Sequence, residues 1–224
     1  MKNLVLAFIS SFFLFSIQAQ TFEKIKDNSI TRIGTGIEYE GKLYYNKIEY
    51  TYNNNNAQLW TSDGTTDGTF LIKKINPINT SSPSEFTIYK GMLFFSADNG
   101  TNGRELWITD GTTNGTKLFK DFYYSKSSNP SGLTVYKDKL YFATTDSLNG
   151  RELWRSDGTI EGTLLFKDIN INGNSSPSNL ATYNNKLYFS ADDGVNGQEL
   201  WVTDGTEEGT LMIKDINING NSSP

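Results

Sequence analysis

Apolar and polar residues alternate along this chain in short runs, and the runs recur at a constant step. Within residues 178–224, Leu187, Phe189 and Ala191 share one face of the run LYFSA, the two-residue period of a β-strand. Residues 179–183 precede it, with Leu180 and Thr182 on one face, and residues 200–203 and 210–216 follow. Between these runs stand Asn184-Asn185, residues 192–197 (DDGVNG) and residues 204–209 (DGTEEG), all rich in the residues that tolerate turn geometry. No segment carries a helical period. The pattern predicts four short antiparallel strands per unit. Leu211 and Ile213 alternate with Met212, so both faces of such a sheet are apolar and both need covering.

The unit repeats. Residues 199–210 read ELWVTDGTEEGT, residues 152–163 ELWRSDGTIEGT, residues 105–116 ELWITDGTTNGT and residues 58–69 QLWTSDGTTDGT. Trp60, Trp107, Trp154 and Trp201 keep a 47-residue step, as do Pro83, Pro130, Pro177 and Pro224. A repeat of this length with four strands predicts an all-β, β-propeller-like array of four-stranded antiparallel blades. A linear β-solenoid is the alternative, but its repeats are shorter, with one strand per turn. The expected blades span 37–83, 84–130, 131–177 and 178–224, with residues 20–36 as a lead-in.

Two departures stand out. Leu43 and Trp60 are 17 residues apart where Leu93 and Trp107 are 14 apart, so the second turn of the first unit is longer. Residues 22–27 (FEKIKD) align with residues 211–215 as a fourth strand lacking its first three. Because residue 224 falls where a fifth unit would begin, we expect this to be the front part of a longer protein whose ring does not close within these residues.

The motif resembles that of the ELWxxDGT repeat family, and the likeness covers about residues 21–224. The resemblance implies a propeller-like fold in large exported or surface proteins of bacteria, chiefly Bacteroidota, often with a C-terminal sorting domain. It implies no common ligand or activity.

Lys2, the apolar residues 4–17 and Ala19 form the charged start, apolar stretch and small exit residue of a secretory signal peptide, expected to end at residue 19. The apolar stretch is short for a membrane span of about 20 residues, so we expect a mature chain without one, secreted or held at the cell surface. The chain has 224 residues, no His and no Cys, and a net charge of −5. The missing His and Cys exclude Ser-His-Asp and Cys-His nucleophiles, thiolate or imidazole zinc sites and disulfides. Nucleic acid is not expected as a partner, because phosphate binding needs clustered Lys and Arg.

Candidate chemistry falls in four groups. The Asp-Gly-Thr-x-x-Gly-Thr turns of Asp63, Asp110, Asp157 and Asp204 read as structure, since every unit needs one. Glu105, Glu152 and Glu199, replaced by Gln58 in the first unit, read as inter-blade or cross-strand hydrogen-bonding groups. A glycosidase pair needs two carboxyls about 5–10 Å apart around one sugar, which one carboxylate per blade does not supply. The runs Asp168-x-Asn170-x-Asn172-Gly and Asp215-x-Asn217-x-Asn219-Gly match the first half of a calcium loop, with hard oxygen ligands at alternate positions. Position twelve of the first is Asn179 in place of a bidentate Glu, so no cofactor is expected unless Ca²⁺ binds there. The units differ most at Tyr50 and Tyr52 in one loop and Tyr123, Tyr124 and Lys126 in another, which makes these the candidate ligand-binding residues. Exposed Tyr and Asn suit a glycan or a surface protein. The expected function is a non-catalytic surface binding or adhesion scaffold. The opposing readings are the binding part of an exported carbohydrate-active enzyme and a structural surface-layer component.

Overall fold

A computed structural model describes residues 21–22, 30–51, 54–218 and 220–222. The expected signal peptide, most of residues 22–27, and Tyr52 lie outside them. Among the described residues no helix is long and apolar enough to cross a membrane.

The chain forms four antiparallel sheets in sequence order, a β-propeller-like array. The first blade holds β1 (Thr21–Phe22), β2 (Ile30–Tyr39), β3 (Lys42–Thr51), β4 (Asn54–Ser62) and β5 (Phe70–Lys73). The second holds β6 (Ser84–Tyr89), β7 (Met92–Asp98), β8 (Arg104–Thr109) and β9 (Lys117–Lys120). The third holds β10 (Ser131–Tyr136), β11 (Lys139–Thr145), β12 (Arg151–Ser156) and β13 (Leu164–Lys167). The fourth holds β14 (Ser178–Tyr183), β15 (Lys186–Asp192), β16 (Gln198–Thr203) and β17 (Leu211–Lys214). Each sheet is a meander, and β2, β6, β10 and β14 lie side by side in that order as the inner strands of successive blades.

The repeated tryptophan is a register mark. Phe95 pairs with Trp107, Phe142 with Trp154, Phe189 with Trp201 and Tyr45 with Trp60 across the middle two strands. In the first blade β2 runs for ten residues, where β6, β10 and β14 run for six. Three extra residues lie between Leu43 and Trp60, so Tyr39 pairs with Lys42 where Tyr89 pairs with Met92. The added length continues β3 and β4 outward to the Thr51–Asn54 pair.

Strand alternation explains why both faces are apolar. Leu93, Phe95, Ala97 and Trp107 of the second blade pack on Leu59, Ile72 and Ile75 of the first. Phe94, Leu106 and Phe119, on the opposite face, pack against Leu140, Phe142 and Trp154 of the third. The third and fourth blades meet the same way, through Phe166 and Ile169 against Phe189 and Trp201. The core therefore lies between blades, and no blade has a core of its own. Burying each such side chain contributes roughly 1.5–3 kcal/mol, so one blade's stability depends on its neighbour.

Polar contacts fasten the same joints at their edges. Tyr39, Tyr89 and Tyr136 donate their hydroxyls to the carbonyls of Gly91, Asp138 and Asn185 in the next blade, at 2.7, 2.7 and 2.6 Å. Lys73, Lys120 and Lys167 donate to the carbonyls of Thr116, Thr163 and Thr210, at 2.6, 2.6 and 2.9 Å. Each lysine thus caps the Asp-Gly-Thr turn of the following blade.

Candidate functional site

In a four-stranded meander the first and third turns leave by one edge and the second turn by the other, together with the link to the next blade. The array therefore has two rims of different chemistry.

The first rim is built by the Asp-Gly-Thr turns. Asp110 Oδ1 accepts from the Thr112 amide at 2.9 Å and from its hydroxyl at 2.7 Å, and Thr112 Oγ1 accepts from the Gly115 amide at 2.9 Å. Asp63, Asp157 and Asp204 repeat this arrangement. The threonine hydroxyl bond holds all four carboxyls below the usual aspartate range. A Cβ on Gly115 would fall onto the Asp110 carboxylate, which is why the second glycine recurs. These aspartates spend their acceptors on their own turns.

The glutamates that recur from unit to unit are likewise engaged. Glu105, fully buried, accepts from the amides of Phe122 at 3.1 Å and Ser128 at 2.8 Å, and from the Ser128 hydroxyl at 2.5 Å. It thereby ties its strand to the link leading out of its own blade. Glu152 does the same with Ile169 and Ser175. Burial pushes the Glu105 carboxyl up to about 7 and raises Glu152. Glu199 Oε2 accepts from the Ile216 amide at 3.1 Å and from the Ser222 hydroxyl at 2.5 Å, and the Ser222 hydroxyl lowers its carboxyl. Although fully covered, Glu199 has no fifth blade packed over it among the described residues, so the hydrogen bond outweighs desolvation. Gln58 substitutes well because its amide Nε2 also donates, to the carbonyls of Asn76 and Asn79.

The second rim gathers the variable loops. The second-turn tips of the second, third and fourth blades are Asx turns. Asn99 Oδ1 accepts from Thr101 and Asn102, Asp146 Oδ1 from Leu148 and Asn149, and Asp193 Oδ1 from Val195 and Asn196. The turn presents its third residue outward. The links are held by Asn76, Asn170 and Asn217, whose side chains bond back to their own loops. Tip and link are laced together: the Arg151 amide donates to Asn174 Oδ1 at 2.7 Å, and the Gln198 amide donates to Asn221 Oδ1 at 2.9 Å. Gly150, at φ +75°, lies where a Cβ would come within 2.5 Å of that Asn174 oxygen, so only glycine closes this contact. A cleft of about 280 Å³ opens here, walled by Leu148, Asn149 and Gly150 on one side and by residues 171–174 on the other. No charged side chain lines it. It offers aliphatic surface and neutral amides, the means to hold a ligand.

The described members of the expected ligand set, Tyr50, Tyr123, Tyr124 and Lys126, sit on this rim but on different blades. Tyr50 is half-buried near the end of β3, its ring 5.5 Å from the Arg32 guanidinium. Tyr123 is half-buried and paired with Lys126, whose ammonium donates to its hydroxyl at 3.2 Å, while Tyr124 is exposed. The calcium-like runs are dispersed in role. Asn170 is buried and closes its link, Asn172 is exposed, and Asn219 lies outside the described residues. Asp168 and Asp215 each keep one buried Oδ1 without a hydrogen bond among the described residues. No group of three or more His, Cys, Asp or Glu among these residues is placed to hold a metal. The first unit has Lys74 where the others have aspartate, yet Asn76 forms the same link.

Sequence reading missed the joint residues. Lys73, Lys120, Lys167 and Lys214, and Ser81, Ser128, Ser175 and Ser222, all keep the 47-residue step, and that step was the available signal. It also missed the exposed aliphatic residues of the second rim.

A scan against protein-family models finds no match, and a search of curated proteins finds none. Solved structures do match. A prolyl endopeptidase aligns over 81% of this chain and 26% of its own, at 10% identity and a TM-score of 0.51. Prolyl oligopeptidase B from Galerina marginata aligns over 86% and 27%, at 12% identity and a TM-score of 0.51. A family 117 glycoside hydrolase from Zobellia galactanivorans aligns over 90% and 75%, at 13% identity and a TM-score of 0.46. The chain thus spans about a quarter of the length of the peptidases it matches, and the likeness is one of fold.

Proposed function

We propose that this β-propeller is an exported, non-catalytic binding scaffold, which meets a surface glycan or protein through its second rim. One observation carries the reading. Six apolar side chains of the described residues are at least 80% exposed, Ile78, Tyr124, Leu148, Ile171, Val195 and Ile218, and all six stand on second-turn tips or links. Scattered exposed apolar residues are ordinary, but a set confined to one rim marks an interaction surface. The cleft at Leu148 and Ile171 forms part of it. Scaffold use also fits the carboxylates, because Glu105 and Glu152 are buried in internal hydrogen bonds and each turn aspartate commits its Oδ1 to its own turn. The export leader and the likeness to ELWxxDGT repeats support a place at the cell surface.

The test is a binding and turnover screen against glycans and surface proteins, run with the parent chain and with Leu148→Asp and Ile171→Asp. A ligand lost by both variants supports the reading. Turnover abolished by a single carboxylate substitution would overturn it, as would binding that neither rim variant weakens.

A further inference from the structure

Three joints between blades are built alike, and the fourth blade carries the parts for another. Tyr183 and Lys214 occupy the positions of Tyr136 and Lys167, which donate across the third joint. Ile213 stands where Phe166 is buried in that joint. Here the three face outward: Tyr183 is 66% exposed against 5% for Tyr136, Ile213 is 47% exposed, and Lys214 has no carbonyl partner among the described residues.

The chain's own first blade does not match this face. Its neighbours place Ala97, Thr144 and Ala191, all fully buried, opposite Glu105, Glu152 and Glu199. The first blade has Lys47 there, opposite Gln58. The Lys47 ammonium lies 3.7 Å from the centre of the Trp60 ring and 2.7 Å from Glu49 Oε1. To receive the fourth blade, Lys47 would have to lose water and its partner against Ile213, a cost the internal joints never meet.

We propose that the outer face of the fourth blade docks another blade of the internal type, one with Ala or Thr where the first blade has Lys47. The occupant supplies two acceptors, a carbonyl from its first turn for Tyr183 and the carbonyls of an Asp-Gly-Thr turn for Lys214. It also supplies a tryptophan to cover Ile213. Towards this face the first blade acts as a cap, and the array extends from the fourth blade outward.

The experiment appends a second copy of residues 178–224 after Pro224 in the full chain and follows hydrogen exchange and denaturant unfolding. Docking predicts that the amides of Leu211–Lys214 slow by at least tenfold and that the chain unfolds at higher denaturant in one transition. Lys214→Glu with Tyr183→Ser should remove that gain. The appended copy's Ala191→Lys should remove it too, since it recreates the cap. An appended blade that stays unfolded, or unfolds separately with exchange at Leu211–Lys214 unchanged, overturns the proposal. So does an Ala191→Lys copy that docks as well as the parent.

Discussion

The ammonium of Lys120 stands 2.6 Å from the carbonyl oxygen of Thr163, joining the outer strand of one blade to the Asp-Gly-Thr turn of the next. The turn is already closed from within by Asp157 and Thr159, so the lysine meets a rigid acceptor. Repetition of this contact at Lys73 and Lys167 makes the most repeated motif of the chain part of its joints.

Replacing this lysine should therefore have a cost that depends on which blade carries it. Lys120→Met should destabilise by about 1 kcal/mol, the usual net worth of such a hydrogen bond. Lys214→Met, at the exposed face, should stay within about 0.5 kcal/mol of the parent. Urea unfolding of the two variants side by side makes the comparison, and equal losses would count against the joint role.

The second glycine of the turn should be intolerant for want of space. Gly115→Ala drives a methyl group into the Asp110 carboxylate, so either the turn opens or the Asp110–Thr112 bonds break. A loss of about 1–3 kcal/mol is expected, the range for overpacking. Lys117→Ala, exposed just beyond the turn, serves as the neutral control in the same unfolding assay.

Glu105 should make stability fall as pH rises. Burial lifts its folded carboxyl to about 7, whereas the unfolded group titrates near 4.5. Between those values the folded chain holds a proton that the unfolded chain has lost, so this contribution is full below about 4.5 and gone above 7. Glu152, also raised by burial, acts in the same direction. The turn aspartates are lowered and act oppositely, losing their contribution as pH falls through their depressed range. Glu105→Gln, the residue already present at position 58, should flatten the slope between pH 5 and 8. Unfolding midpoints for parent and variant at both pH values measure it, and an unchanged slope would remove Glu105 as its source.

Rim substitutions should separate binding from folding. Leu148→Asp and Ile171→Asp change side chains that are 89% and 80% exposed, so stability should move by less than about 0.5 kcal/mol. Phe95→Ala, fully buried in the first joint, should cost about 3–5 kcal/mol. Thermal unfolding beside the binding screen distinguishes loss of a surface from loss of a fold.

The strands were legible because their signal is local. Leu187, Phe189 and Ala191 alternate with smaller or polar neighbours, and Asn184-Asn185 both adopt positive φ in the turn between strands. The role of Glu105 was legible in kind, as a hydrogen-bonding group, but its partners were not, since Ser128 lies 23 residues away on a link. The longer second turn of the first unit was legible from the spacing of Leu43 and Trp60, but that its extra residues extend the pairing of β3 with β4 was not. Tyr123 and Lys126 looked available for a ligand in sequence, and the fold pairs them with each other.

Periodicity alone determined that this chain is a row of equivalent four-stranded units, because the spacing of Trp and of turn residues leaves few other ways to bury a sheet on both faces. Which side of each unit meets its neighbour was decided only in three dimensions. Alternate residues of one strand point to opposite joints, so Phe94 and Phe95 are adjacent in sequence yet belong to different cores. The same is true of the two ends. Lys47 and Lys214 are both simply lysines in the sequence, and only packing makes one a cap and the other an open clasp.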